Sequence, residues 1–566
     1  MRRAAIPLAF LAVTLFAQER QPDPFFSETI EVRIINVDAI VTDSSGRPVR
    51  GLTKDDFEVF ENGTKQEISN FAEMSGATST ASGGRATAEA PPRIESAPAL
   101  PQQDVRSRKI VIFIDNASLR IFTRNKVFDA MKAFVRQSVR PGDEVMIVAW
   151  NPPLDIGVPF TGDVEAVLAT IEAMKNERAG GNLYVVDRKM AERAISDMPT
   201  DYAMVGQIPP IEMAVEQARL YAAKVMHEQR GKVAAMKSVM SSLRGIEGRK
   251  VFVVVTESLS DRAAQPIFNF VDQVKDRFTN GANYNAVREG QQYAEPSLTN
   301  IMADTANSTG VTFYPIDAAG LSGDLEAMSA ENLGTQYNNP TRQMAFRDEH
   351  LQTLRTIAAQ TGGAALTASN NFDLAFNTIT NDLSSYYSIG YRATGAKQDT
   401  IRSVQVRLKN KRGLQVRTRQ AFVERSTSSE MKDAVAANLF YPIARNDLNI
   451  RISAGGASKI ATDEHVVVPV EVRIPTSALT LLPDGTDLRG RFQSYTAFLR
   501  RDGAVSEVKT NVHELRFPAQ SLERRKEITL KLDVTVDNKT EAVSVGVMDD
   551  VSHATGFASL RLEPGA

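Results

Sequence analysis

The stretch Lys109-Ile-Val-Ile-Phe-Ile-Asp115 does most to limit how this chain can fold. A short, unbroken apolar run bounded by polar residues is the pattern of a strand buried on both faces, as in a parallel sheet covered by helices. Such a sheet binds ligands in the crevice beyond the carboxyl ends of its strands. The run ends on a carboxylate, Asp115, at that edge. Two later strands, ending near Thr161 and at Glu257 (after Lys250-Val-Phe-Val-Val-Val-Thr256), are read as reaching the same edge with oxygen-bearing side chains.

The rest of the chain sorts around that strand. Residues 1–17 read as a secretory signal: Arg2 and Arg3 precede a run of about 14 mostly apolar residues, Ala4 to Ala17, with cleavage expected near Ala17. The run is shorter than the roughly 20 residues needed to span a bilayer. No transmembrane segment is therefore expected after cleavage, and the chain is expected to be exported, either periplasmic or secreted. It has no cysteine, which excludes disulfides, thiolate metal sites and cysteine nucleophiles. A formal charge of −2 gives none of the basic excess that nucleic acid or an anionic membrane would demand.

Residues 28–72 read as a small β unit, with the hairpin signal Glu61-Asn-Gly-Thr64 between apolar runs. Residues 73–107, dominated by Ala, Ser, Gly, Thr and Pro, read as a flexible linker. Strand and helix patterns then alternate from 108 to 424, interrupted by a helical insertion at about 185–245. At Tyr386-Tyr-Ser-Ile-Gly-Tyr391 the period changes to two, and the strands from there to 419 are expected to finish the same sheet. Residues 436–566 alternate cleanly at Val466, Val468, Val470, Val472 and Ile474 and again from Ile528 to Val536, as in a β-sandwich.

Several of these pieces carry a resemblance: Val41-Thr-Asp-Ser-Ser-Gly-Arg-Pro-Val49, Gly51-Leu-Thr-Lys-Asp-Asp-Phe-Glu-Val-Phe60, Ile112-Phe-Ile-Asp-Asn116, Gly310-Val-Thr-Phe-Tyr-Pro-Ile-Asp317, Thr361-Gly-Gly363 and Tyr386 to Tyr391. Over roughly residues 28–425 the chain resembles exported proteins with a von Willebrand factor type A (VWA) domain, of the kind best known from acidobacteria. The resemblance implies an α/β fold: a Rossmann-like, mostly parallel, doubly wound sheet, flanked here by the small N-terminal β unit and the C-terminal β-sandwich.

It also implies a metal-ion-dependent adhesion site. VWA domains commonly hold Mg²⁺ or Mn²⁺ through Asp-x-Ser-x-Ser, a Thr and an Asp from three loops, and a partner's carboxylate completes the shell. Carried over, Asp115 takes the first position, Thr161 the threonine and Glu257 the final acid. Ala117 and Leu119 stand where the two serines belong, so the site is degenerate. Ser118 is one residue out of register and points away unless a local bulge turns it back. Asn116 and Asp317 are auxiliary candidates at the same edge.

Other chemistry is thin. The five histidines lack metal-ligand spacing and read as surface or capping residues, and no zinc-protease, hydrolase-elbow or phosphate-loop motif occurs. The spaced methionines of the insertion read as helical core. The expectation is a non-enzymatic, adhesion-like protein whose protein partner presents an Asp or Glu to the metal. The rivals are a metal-independent scaffold of the cell envelope and, last, a metal-dependent hydrolase.

Overall fold

The computed structural model describes residues 34–75, 107–152, 154–200, 210–246, 248–295, 298–320, 340–367, 369–392, 398–409, 413–440, 445–454, 459–462, 465–500, 505–524, 526–537 and 540–562. The expected signal and most of the expected linker lie outside these residues; residues 73–75 of that linker belong to a strand.

The first strands are β1 (Ile34–Thr42), β2 (Phe57–Glu61), β3 (Thr64–Gln66) and β4 (Ile68–Ser75). Asn62 and Gly63 both take positive φ, +47° and +80°, the backbone of the tight hairpin that the Asn-Gly pair signals.

Next come the strands of the central sheet: β5 (Arg108–Ile114), β6 (Glu144–Trp150), β7 (Leu154–Thr161), β8 (Arg249–Thr256) and β9 (Val311–Asp317). Their order is β7-β6-β5-β8-β9, with β7 antiparallel at one edge and the other four parallel. The apolar runs are continuous because both faces are covered. Ile110, Ile112 and Ile114 of β5 meet α1 (Ile121–Ser138), α2 (Val164–Met174) and the helix Phe372–Ser384. Val111 and Phe113 face the opposite layer, built from α4 (Pro210–Ser242), α7 (Leu298–Thr309) and the helix Pro340–Gln360. The chain is thus α/β, with a mixed, largely parallel central sheet and antiparallel sheets beside it.

The helical insertion consists of α3 (Gly181–Ser196) and α4, packed against α5 (Gln265–Val274) and α6 (Ala286–Gln291). At 33 residues α4 is about 50 Å long and belongs to two cores. Val215 and Met226 pack with Ile195 of α3 and Phe268 of α5, while Met236 and Met240 pack on the parallel sheet. Those three methionines are core residues.

The strands after the central sheet do not finish it. They are β10 (Ser385–Arg392), β11 (Ile401–Leu408), β12 (Gln415–Thr418) and β13 (Ala421–Val423). The hydrogen bonding interleaves them with the first four strands as two antiparallel sheets, β12-β1-β10-β4 and β13-β11-β2-β3. One core unites both sheets: Val37, Val59, Ile68, Tyr387, Ile389, Tyr391, Val404 and Phe422. The small β unit expected at 28–72 is thus one part of a two-sheet unit that the later strands complete. Its strands are too few to bury their apolar faces alone, and the late strands supply the missing half.

Toward the C-terminus, the strands from Arg451–Ala454 to Thr555–Arg561 form two more antiparallel sheets facing each other across one apolar cluster, which includes Val470, Val472 and Ile474 on one side and Phe492, Val543 and Val545 on the other. Among the described residues no helix is long and apolar enough to cross a membrane.

Candidate functional site

The central strand β5 has β6 on one side and β8 on the other, so the chain reverses its winding direction at the carboxyl end of β5. Asp115 sits at that point, fully buried, and its N–H donates to Val255 O at 2.9 Å, extending the β5–β8 ladder by one residue. One of its oxygens, Oδ2, gathers three donors: Ser118 Oγ at 2.6 Å, Thr256 Oγ1 at 2.7 Å and Lys232 Nζ at 2.6 Å. The other, Oδ1, is buried and carries no hydrogen bond among the described residues.

Ser118 does not point away, and this expectation is corrected. The chain turns tightly after Asp115, with the N–H groups of Ser118 and Leu119 both donating to Asp115 O, and the turn swings the hydroxyl back over the carboxylate. Each hydroxyl also takes a backbone donor: Ser118 Oγ accepts Glu257 N–H at 3.1 Å, and Thr256 Oγ1 accepts Ser258 N–H at 3.0 Å.

Glu257 follows Thr256 but faces the other way. Its carboxylate accepts from Arg120 N at 3.1 Å, from Arg120 Nε at 2.7 Å and from the Thr123 hydroxyl, closing the first turn of α1. Burial pushes its carboxyl above the usual glutamate range, against the pull of the Arg120 guanidinium.

Thr161 is not at this edge. Strand β7 is antiparallel, so its last residue returns to the amino end of the sheet. Thr161 pairs with Val145, whereas Ala149 is the β6 residue beside Ile114. Four residues of strand, about 13 Å, separate the two levels. The Thr161 hydroxyl accepts Asp163 N–H at 3.0 Å, at the start of α2.

The loop between α2 and α3 is the one that reaches the Asp115 turn. Gly180 N–H donates to Asn116 O and Gly181 N–H to Leu119 O, each at 2.9 Å. A Cβ on Gly181 would lie 2.4 Å from Ser118 O, so only glycine allows this approach. Asn116 serves the same junction: its Oδ1 accepts from buried Arg124, which also donates to Lys175 O and Glu177 O, and its Nδ2 donates to Arg178 O. Asp317, buried beside Thr256 at the end of β9, accepts Ala319 N–H and lies 3.7 Å from His350 Nε2. His350 is itself buried and bonded to Leu259, so the reading of the histidines as surface or capping residues is corrected at this position.

Sequence reasoning missed Thr256, Lys232 and the Gly180-Gly181 junction. Their signals were a hydroxyl ending the β8 run, two glycines before a helix, and polar side chains within the apolar stripe of α4, where Gln229 and Lys232 fall between Val225 and Met236.

The donor set does not fit a hard divalent cation. Mg²⁺ needs about six oxygens at roughly 2.0–2.1 Å. Here both hydroxyls are engaged, Glu257 is turned to Arg120, Thr161 is at the far edge, and an ammonium already holds Asp115 Oδ2. Among the described residues no three His, Asp or Glu side chains converge as metal ligands.

No protein-family model matches the chain, and no curated protein matches it. Among solved structures it is similar to the conserved hypothetical protein BatB from Bacteroides thetaiotaomicron, at 10% identity over 49% of this chain and 97% of that one, TM-score 0.22. It is also similar to an aerotolerance-related membrane protein from Bacteroides fragilis NCTC 9343, at 10% identity over 49% and 98%, TM-score 0.21. A third is proximal thread matrix protein 1 from the mussel byssus, at 14% identity over 50% and 48%, TM-score 0.21. Likenesses at these TM-scores decide nothing about the site, which rests on the bonding described above.

Proposed function

We propose that this chain is an exported, non-enzymatic protein-binding protein built on a VWA-type α/β unit, and that it takes its partner at the carboxyl edge of the parallel sheet. The observation that carries this reading is the exposure of Ile121 (51%) and Phe122 (66%) in the first turn of α1, directly after the Asp115 turn. Large apolar side chains held outward at the ligand edge are what a protein partner covers, and aromatic anchors dominate such contacts. The Lys126 ammonium lies 4.2 Å from the centre of the Phe122 ring, which props the ring on the surface.

The test is photo-crosslinking in cells that express the protein, with a benzophenone side chain placed at 122, at Leu220 or at Val512. The last two are exposed apolar positions on the insertion and on the C-terminal sheets. A discrete protein adduct from position 122 alone is the expected result. Adducts from 220 or 512 with none from 122 would instead support a scaffold that binds through its flanking units.

A further inference from the structure

We infer that Lys232 is the resident cation of the Asp115 site, holding by side-chain charge the position that a divalent ion takes in VWA-type sites. Asp115 is fully buried, and a carboxylate withdrawn from water needs a counter-charge close by. Lys232 supplies it from α4, 117 residues further along the chain, with its Nζ 2.6 Å from Oδ2 and its side chain only 6% exposed. The same ammonium donates to Ser258 O, so it spans the β5 and β8 strand ends as a bound ion would.

The placement follows from packing. Ala235, Met236, Val239 and Met240 seat the second half of α4 on the parallel sheet. Position 232, one turn before Met236, is thereby carried to the carboxyl edge. One turn earlier again, Gln229 donates to Ser260 O at 3.2 Å and holds the helix to the loop after β8. The neighbouring groups are already committed in a way that suits an ammonium. The Ser118 and Thr256 hydroxyls give their protons to Oδ2 and each accepts one backbone N–H, and the Glu257 carboxylate is paired with Arg120. A divalent ion at Oδ2 would have to evict Lys232, and Oδ1 is the Asp115 oxygen that carries no hydrogen bond among the described residues. The consequence is a site whose charge is fixed when the chain folds, with the helical insertion pinned to the sheet edge, and which ignores the metal content of its surroundings. This holds whether or not Phe122 contacts a partner.

The test has two parts, both on the full chain. The first is a Mn²⁺ titration followed by electron paramagnetic resonance, with melting curves in chelator and in excess Mg²⁺. No saturable Mn²⁺ and superimposable curves are expected, whereas an ion held at a hundred times its Kd would raise Tm by about 5–10 °C. Saturable Mn²⁺ binding abolished by Asp115→Asn overturns the inference. The second part compares Asp115→Asn, Lys232→Met and the double variant. Each single change strands one buried partner and is expected to lower Tm by about 6–20 °C. The neutral double variant is expected to regain at least half of that loss. A Lys232→Met chain that melts like the wild type, or a double variant as weak as the summed singles, overturns it equally. Should a single variant fail to fold, the wild-type titration and the double variant still decide.

Discussion

Removing residues 1–106 should cost the chain far more than a dispensable leading module would. Strands β1, β2 and β4 and the β1–β2 connection contribute Val37, Val41, Leu52, Phe57, Val59 and Ile68 to the core they share with β10, β11 and β13, each at most 8% exposed. At about 1.5–3 kcal/mol for each side chain, their burial is worth roughly 9–18 kcal/mol. A compact unfolded chain lowers that by up to about 40%, to roughly 5–11 kcal/mol. This equals or exceeds much of the total stability of a typical domain, about 5–15 kcal/mol. Polar contacts are lost as well. Arg402, 2% exposed, would lose Glu61, and the Tyr387 hydroxyl, which donates to Val49 O and accepts Leu52 N–H, would lose both partners. The assay is limited proteolysis of residues 107–566 with and without a peptide spanning 34–75. We expect rapid cleavage between 385 and 423 in the truncated chain, protection when the peptide is added, and a lowered first melting transition. A truncated chain that resists cleavage there and melts like the full chain would show that the interleaved sheets do not depend on their first strands.

Two further substitutions probe the edge itself. Gly181→Ala forces a Cβ to within 2.4 Å of Ser118 O, a backbone atom that cannot step aside, so a loss of about 1–3 kcal/mol in urea unfolding is expected; an unchanged midpoint would mean the junction yields freely. Glu257→Gln tests the buried carboxyl through pH. Its folded pKa is raised above 4.5, so the folded chain holds that proton to higher pH than the unfolded chain, and the associated stability is lost as pH rises from 4.5 through the folded value. The variant lacks this term, so its stability should improve relative to wild type across that window, and parallel curves would contradict the assignment.

What the sequence disclosed, and what it withheld, follows the range of the interactions. The runs Ile110–Ile114 and Val251–Val255 announce a sheet covered on both faces because each strand needs apolar residues at every position, a strictly local requirement. The alternation at Val468, Val470 and Val472 announces strands with one buried face for the same reason. Partner choice is not local. Nothing in Tyr386 to Tyr391 says that β10 pairs with β1 and β4, more than 300 residues earlier, since period two is satisfied by any sheet. Thr161 was misplaced by the same blindness: the strand ending there is antiparallel, and the direction of an edge strand leaves no mark on its composition. Asp115 was legible because it ends a strand. Lys232 was not, because it is one of three lysines on α4, and an amphipathic helix gives no sign which of them is buried until its neighbours are known.

Two carboxylates at this edge are answered by cations from within the chain, Asp115 by Lys232 and Glu257 by Arg120, with side chains 0%, 6%, 9% and 18% exposed. Paired charges buried this deeply project little field into solvent, and little of it for salt to screen. The exposed side chains there include the apolar pair Ile121 and Phe122, with the Lys126 ammonium against the ring. A partner drawn to an open metal site would need an acidic side chain and would lose its hold in chelator. A partner drawn to this surface needs shape and apolar area, and its affinity should be governed by dissociation and change little with ionic strength. The departures that spoil a metal site, a lysine at the carboxylate and a glutamate turned aside, are thus the ones that hold the form of the edge from which Ile121 and Phe122 stand exposed.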